Sequence, residues 1–209
     1  MNSVSADHRI TDIETLERIY GFPSGPAVEK EVGYVHPHYA RLIAASPFVV
    51  LATAGPQGLD ASPRGDAAGF VQVQDEHTLL VPDRRGNNRI DSMRNILTNP
   101  HVALLFLIPG VGETLRVNGR AEISVDPVLI ERFAVADTLP RSVLVVHVDT
   151  VFFQCSKAIV RSKLWDPERR IARKTLPSTG TILQDLSGAK ISAEEYDQAL
   201  PERLKTTLY

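Results

Sequence analysis

Apolar positions recur at helical spacing near the start of the chain. Ile13, Leu16 and Ile19 form one stripe that stops at Gly21, and Thr11 with Glu14 fits a capping box. Phe22 to Pro26 reads as a Pro/Gly loop. Tyr39, Leu42 and Ile43 share one side of a second short helix over 37–46. Both helices are expected to pack on the outside of something larger. From Pro47 the pattern changes to strands. PFVVLATA (47–54) is a continuous apolar, β-branched run, GPQG (55–58) supplies turn chemistry, and LDASPRGD (59–66) alternates, so a hairpin is predicted. A second strand pair spans 69–74 and 78–81 across a polar turn at 75–77. Ile90, Met93, Ile96 and Leu97 predict a helix over 88–97, closed by Pro100.

Three longer strands follow. HVALLFLIPG (101–110) is the most apolar, ETLRVNGRAEISV (113–125) is long and alternating, and SVLVVHVDTVFFQC (142–155) is nearly all apolar. Asp126 and Pro127 open a short helix before the last of them. Six or seven strands with mostly short connections predict a mainly β fold, an antiparallel barrel with peripheral helices, rather than a parallel α/β sheet. The organisation expected is a helical extension over 1–46, a barrel domain over 47–167, and a C-terminal extension over 168–209 within the same globular unit or a dimer interface. In that last part 175–180 reads as a loop, and Ser192 with Glu195 caps a final helix. Stretches 101–108 and 142–153 carry more apolar surface than one face of a small barrel buries. A second copy of the chain is expected to cover the remainder.

Composition narrows the setting. The 209 residues can form a core without covalent staples. A single cysteine, Cys155, cannot make an internal disulfide, which suits a reducing compartment. With 23 basic and 25 acidic residues, the net charge of −2 gives no reason to invoke nucleic acid. No apolar run reaches the roughly 18–20 residues of a membrane helix, and MNSVSADHRITDIE does not read as a secretory signal. A cytoplasmic protein is expected, and its function must come from local constellations.

Three segments gather arginine and glycine beyond what a barrel needs. SPRGD (62–66) ends a strand; its proline marks an edge or bulge, and Arg64 precedes Gly65 beside approachable backbone. PDRRGNNR (82–89) runs from a strand into a helix, with three arginines around small residues that leave backbone N–H groups open. That combination suits a phosphate dianion. KAIVRSKLW (157–165) follows the last barrel strand and carries Lys157, Arg161 and Trp165. Taken singly, each set of cations reads equally well as a solvated loop or a helix end complementing its own dipole. Their coincidence around one barrel singles them out, and no aromatic ladder turns them into a nucleic-acid surface. The six histidines lack metal-ligand spacing, so no metal is expected. His147 reads as a core histidine and Cys155 as a buried structural cysteine. There is no nucleophile elbow, P-loop or GxGxxG, and no residue is assigned as catalytic.

In the order ASPRGDAAGF, PDRRGNNRIDSMRNILTNPHVALLFLIPG, ETLRVNGRAEI and FFQCSKAIVRSKLWDP, these segments resemble the pyridoxamine 5′-phosphate oxidase-like, FMN-binding split-barrel superfamily. Within it they resemble a branch of FMN-dependent enzymes of unknown substrate, over about Pro37 to Pro167. The resemblance implies a split β-barrel that forms a homodimer, with two FMN molecules in clefts between the subunits. It puts Arg64, with Ser62 and Gly65 beside it, at the flavin phosphate or ribityl chain. Gly86, Asn87 and Arg89 fall in the phosphate-cradling turn, with Arg84 and Arg85 nearby. Thr114 falls where the partner subunit places a polar residue near the ring, and Lys157, Arg161 and Trp165 match the branch's own C-terminal motif.

A phosphate monoester needs several donors at one point, which 84–89 with Arg64 supply. The flavin ring needs a dry wall with a few backbone donors, for which the strand ends Ala61–Ser62 and Val81–Pro82 are candidates. Redox chemistry then belongs to the cofactor, so no acid–base dyad is required. The resemblance implies an FMN-dependent oxidoreductase acting on a small molecule, with NAD(P)H as a donor. The alternatives are a non-catalytic flavin-binding protein and a deazaflavin- or haem-binding relative on the same barrel. Pyridoxamine phosphate oxidases end in an arginine–histidine pair that grips the substrate phosphate. This chain ends KTTLY, so vitamin B6 oxidation is not expected.

Overall fold

A computed structural model describes residues 8–23 and 25–209. The chain divides into two compact units, one running to Glu31 and the other Val32–Tyr209. The first holds α1 (Ile13–Tyr20) and the single turn α2 (Pro26–Glu29). The cap of α1 falls on Asp12 rather than Thr11, its carboxylate accepting the Thr15 N–H at 2.7 Å. A charged acceptor at the positive end of a helix is the stronger cap. Gly21 ends the helix at φ +69°, as its position predicts. Ile13 and Ile19 stay 69% and 58% exposed, so the apolar stripe is no buried face within this unit.

The second unit begins with α3 (Pro37–Ala45), which is no loose extension: Ile43 is completely buried in the main core, with Tyr39, Ala40 and Leu42 packed beside it. Seven strands follow: β1 (Phe48–Gly55), β2 (Gly58–Gly65), β3 (Gln72–Asp75), β4 (Thr78–Asp83), β5 (His101–Leu107), β6 (Thr114–Ser124) and β7 (Ser142–Gln154). They make one sheet in the order β2-β1-β5-β6-β7-β4-β3, every neighbouring pair antiparallel. The period-2 alternation sends Val49 and Leu51, Leu104 and Phe106, Leu115 and Val117, and Leu144 and Val146 into one core.

The sheet does not close on itself. β2 is one edge and β3 the other, and β3 pairs with β4 only as far as Leu80. Among the described residues Val81–Asp83 therefore has a strand on the β7 side alone. Arg64 of β2 reaches Asp83 of β4 in an ion pair, which bridges the seam. Pro63 on the edge strand and Pro82 on this half-paired stretch fit that geometry, since proline has no N–H to give a ladder. The fold is the antiparallel split barrel that the sequence implies.

Helices cover the ends. α4 (Asp91–Thr98) lies so close to β1 that a side chain on Gly55 would meet the Asn95 amide oxygen at 2.1 Å. Asn95 in turn donates to the buried Thr53 hydroxyl at 3.1 Å. α5 (Pro127–Arg132), capped by Asp126, leads to Phe133, which joins Leu80 and Val143 in a second small core. Then come α6 (Lys157–Ser162), α7 (Thr179–Leu186) and α8 (Ala193–Thr207). The loop expected over 175–180 gives way to α7, because Ser178 caps it on the Thr181 N–H at 3.0 Å. Gly180 is no breaker there: a side chain would meet the Ala193 carbonyl at 2.4 Å, so its absence lets α8 dock. Two further expectations are corrected. His147 has the opposite parity to buried Val146 and Val148, so it faces outward, 3.4 Å from Glu122. Cys155 follows the end of β7 and is exposed. No described helix is long and apolar enough to cross a membrane.

Burial separates the two N-terminal stripes energetically. Ile43→Ala should cost about 2–5 kcal/mol in urea denaturation. Ile13→Ala, at an exposed position, should stay within about 0.5 kcal/mol.

Candidate functional site

A cleft of about 740 Å³ opens at the seam of the barrel, where the ends of β2 and β4 meet the 84–90 loop. It gathers eight of the residues singled out in the sequence: Ser62, Arg64 and Gly65 from β2, then Arg84, Arg85, Gly86, Asn87 and Arg89. Arg141 also lines it. Its five arginines face two aspartates, Asp66 and Asp83, leaving three positive charges in excess on the lining. Pro82 lines the wall and, with no N–H, offers no backbone donor there.

The arginines differ in what already occupies them. Arg64 pairs with Asp83 and lies 3.5 Å from the Ser92 hydroxyl of α4, yet its Nε is buried without any hydrogen-bond partner. Arg84 is fully engaged: Nε donates to Asp66 at 2.8 Å, another nitrogen donates to the Phe133 carbonyl, and the guanidinium lies 5.6 Å from the centre of the Tyr209 ring. Arg89 is 79% exposed and reaches Asp91 at 3.0 Å. Arg141 donates to the Asn88 side chain at 2.7 Å. Arg85 has no partner among the described residues.

The 84–90 loop is shaped by its own side chains. Asn87 accepts the Arg89 N–H at 3.0 Å, and Asn88 takes the left-handed conformation at φ +62°, which asparagine tolerates. α4 starts at Asp91, three residues later than the apolar spacing predicts, because Asn88 at positive φ stands outside helical backbone. The arginines thus sit on a loop ahead of the helix.

Thr114, Lys157, Arg161 and Trp165 line no part of this cleft. Thr114 pairs with Gln154 at the far end of β7, just before α6. Lys157 and Arg161 are exposed on α6, and the half-buried Trp165 donates to the Val111 carbonyl at 2.8 Å. They form a second group around the turn between β5 and β6.

Sequence reasoning passed over Asp66, Asp83, Leu208 and Tyr209. The two aspartates stand inside the motifs SPRGD and PDRRG, so an acid beside each arginine was a readable sign of pairing. Nothing local signals Tyr209, whose hydroxyl donates to Asp66 at 2.8 Å across 143 positions of sequence. Burial presses the Asp66 carboxyl upward, but hydrogen bonds from Tyr209 and Ala67, with the Arg84 guanidinium, outweigh it and hold the group below the ordinary 3.8. The Tyr209 phenol is pushed above the ordinary 10.0, first by that bond to Asp66, then by burial. A buried guanidinium nitrogen without a partner, a free Arg85 and an excess of positive charge make a donor set suited to a phosphate monoester.

Residues 35–155 match the family model for pyridoxamine 5′-phosphate oxidase. With more than half of its length matched, the chain belongs to that family. No curated protein matches it. Among solved structures it is similar to HupZ of Group A Streptococcus, at 19% identity and a TM-score of 0.48, covering 58% of this chain and 94% of that one. It is also similar to general stress protein 26 of Bacillus anthracis (19%, 0.42, covering 54% and 88%). An FMN-binding protein of Syntrophomonas wolfei gives 13% and 0.43, covering 67% and 89%.

The Asp66 network fixes a pH dependence. A carboxyl held below 3.8 contributes stability that is complete above that value and is lost as pH falls through the folded-state value. The gap in urea midpoint between wild type and Asp66→Asn should be widest near neutrality and shrink below about pH 4. A gap that stays constant over a pH series would show that the ion pair contributes nothing.

Proposed function

We propose that the protein binds FMN in the seam cleft and works as an FMN-dependent oxidoreductase on a small molecule, reduced by NAD(P)H. The observation that carries this reading is one cleft lining that holds both Arg64, with its buried unpartnered Nε, and the free Arg85. A phosphate oxygen is the acceptor such donors lack. Membership of the pyridoxamine 5′-phosphate oxidase family supports a flavin as the bearer of that phosphate. The cleft volume lies within the range of cofactor sites, roughly 300–1,000 Å³.

When bound, FMN supplies the hydride and electron chemistry. The chain's own residues bind and orient. Arg64 and Arg85 would hold the phosphate, with Arg89 and the backbone N–H groups of Gly86 and Asn87 as further donors in the same lining. Ser62, Phe70 and Met93 line the remaining wall, mixing one hydroxyl with apolar surface. Arg84, held by Asp66, keeps the β4 end in place and leaves the phosphate to its neighbours.

We further propose a homodimer. A shallow groove of about 370 Å³ across β1, β5 and β6 is lined mainly by apolar surface, and Leu59 at its rim is 88% exposed. In that dimer Thr114, Lys157, Arg161 and Trp165 serve the cleft of the opposite protomer, where Trp165 offers a flat apolar face to an aromatic or uncharged substrate.

The absorption spectrum of the purified protein, followed by titration with FMN and with riboflavin, tests the cofactor. FMN should bind more tightly than riboflavin. Arg64→Ala combined with Arg85→Ala should weaken FMN by at least roughly tenfold, each lost charge-assisted contact being worth about 1.5–3 kcal/mol. Unchanged affinity in the double variant would remove the phosphate from this cleft.

A further inference from the structure

The last residues of the chain reach the cleft from outside the barrel. α8 packs against α7, pinned by the Gly180 N–H on Asp197 at 2.8 Å. Pro201 has no N–H to bond back to the Asp197 carbonyl, so the ladder of this helix has one bond fewer where its two halves join. Beyond that half, Leu208 and Tyr209 form part of the cleft lining. Tyr209 closes over an ion pair that is itself nearly sealed, the Asp66 side chain being 3% exposed. Its hydroxyl takes one oxygen of Asp66 while Arg84 holds the other, and its ring lies under the Arg84 guanidinium.

We propose that the end of α8, from Glu202 to Tyr209, is a latch that closes the cleft over a bound phosphate-bearing flavin, with Tyr209 as its fastening residue. The proposal rests on the flavin reading of this cleft. Two features give it the balance a latch needs. One phenol–carboxylate hydrogen bond and one cation–π contact are individually modest, so they bias the closed position without freezing it. Opening leaves Asp66 and Arg84 paired with each other, so no buried charge is stranded when Tyr209 departs. The cleft keeps its 740 Å³ with the latch shut, so the closed state has room for a ligand rather than excluding it. The latch therefore acts on exchange: it slows departure of what the arginines hold. Tyr209 is a positioning residue, working through Asp66 and the cleft wall.

The test uses FMN as the probe and the full chain as wild type, Tyr209→Phe and Tyr209→Ala. Trypsin reports the latch directly, because Arg203 and Lys205 lie in the helical stretch assigned to it and cleavage there requires that helix to unwind. Without ligand, Tyr209→Ala should be cut faster there than wild type. FMN should slow cutting of wild type and leave the alanine variant little changed. FMN dissociation, followed by recovery of flavin fluorescence, should be about tenfold faster in Tyr209→Ala and intermediate in Tyr209→Phe, which keeps the ring and loses the hydroxyl. If FMN binds and its dissociation rate is the same in all three proteins, the latch is overturned while the flavin reading stands. If wild type fails to bind FMN although the alanine variant is cut faster, the flavin reading is overturned and the latch loses its ligand with it.

Discussion

The ion pair between Arg64 and Asp83 is the constraint on which the rest of this structure depends. A sheet that does not close must hold its two margins together by something other than a backbone ladder. Here a guanidinium from the edge strand β2 crosses to a carboxylate at the end of β4, both side chains less than one-fifth exposed. The same guanidinium approaches Ser92, whose hydroxyl donates to Asp60 four residues earlier on β2, so α4 is tied to the seam as well. Burying such a pair is costly unless its remaining protons are satisfied. One nitrogen of Arg64 is left unsatisfied, on a side chain that lines the cleft. The residue that holds the seam together is thereby also the one with a donor to spare.

The other arginines divide the remaining work by the company they keep. Arg84 is neutralised by Asp66 and covered by Tyr209, which makes it architecture. Arg89 leans on Asp91 in open solvent, where an ion pair contributes little and breaks readily. Arg85 is unencumbered. The cations thus range from locked to free, so one short loop holds both a strut and guanidinium donors not yet taken.

Much of this was legible in the chain because hairpin-linked strands write their period and their turns locally. The two-residue turn between Gly55 and Gly58 sits where GPQG predicts it, and the proline of SPRGD does mark an edge. The convergence of 62–66 with 82–89 could be anticipated from chemistry, although neither segment names the other. What stayed hidden depends on distance or on parity. His147 looked internal within a run of valines, but strand parity alone decides which face it takes. The helix at Thr179 escaped notice because Gly180 reads as a breaker until the helix packed against it is known. Tyr209 carries no motif at all, and its place is set by where a helical hairpin ends.

The two prolines at the seam have a consequence for the molecule's life in a crowded solution. A proline tolerated within a paired strand turns its nitrogen away from the neighbour, so Pro63 and Pro82 both present a missing donor to the gap between β2 and β4. An open sheet margin is ordinarily a template for recruiting foreign strands, the first step toward edge-to-edge aggregation. This margin cannot be extended in register past either proline. The opening at the seam is thus closed to another polypeptide backbone, and the barrel can remain split without becoming adhesive.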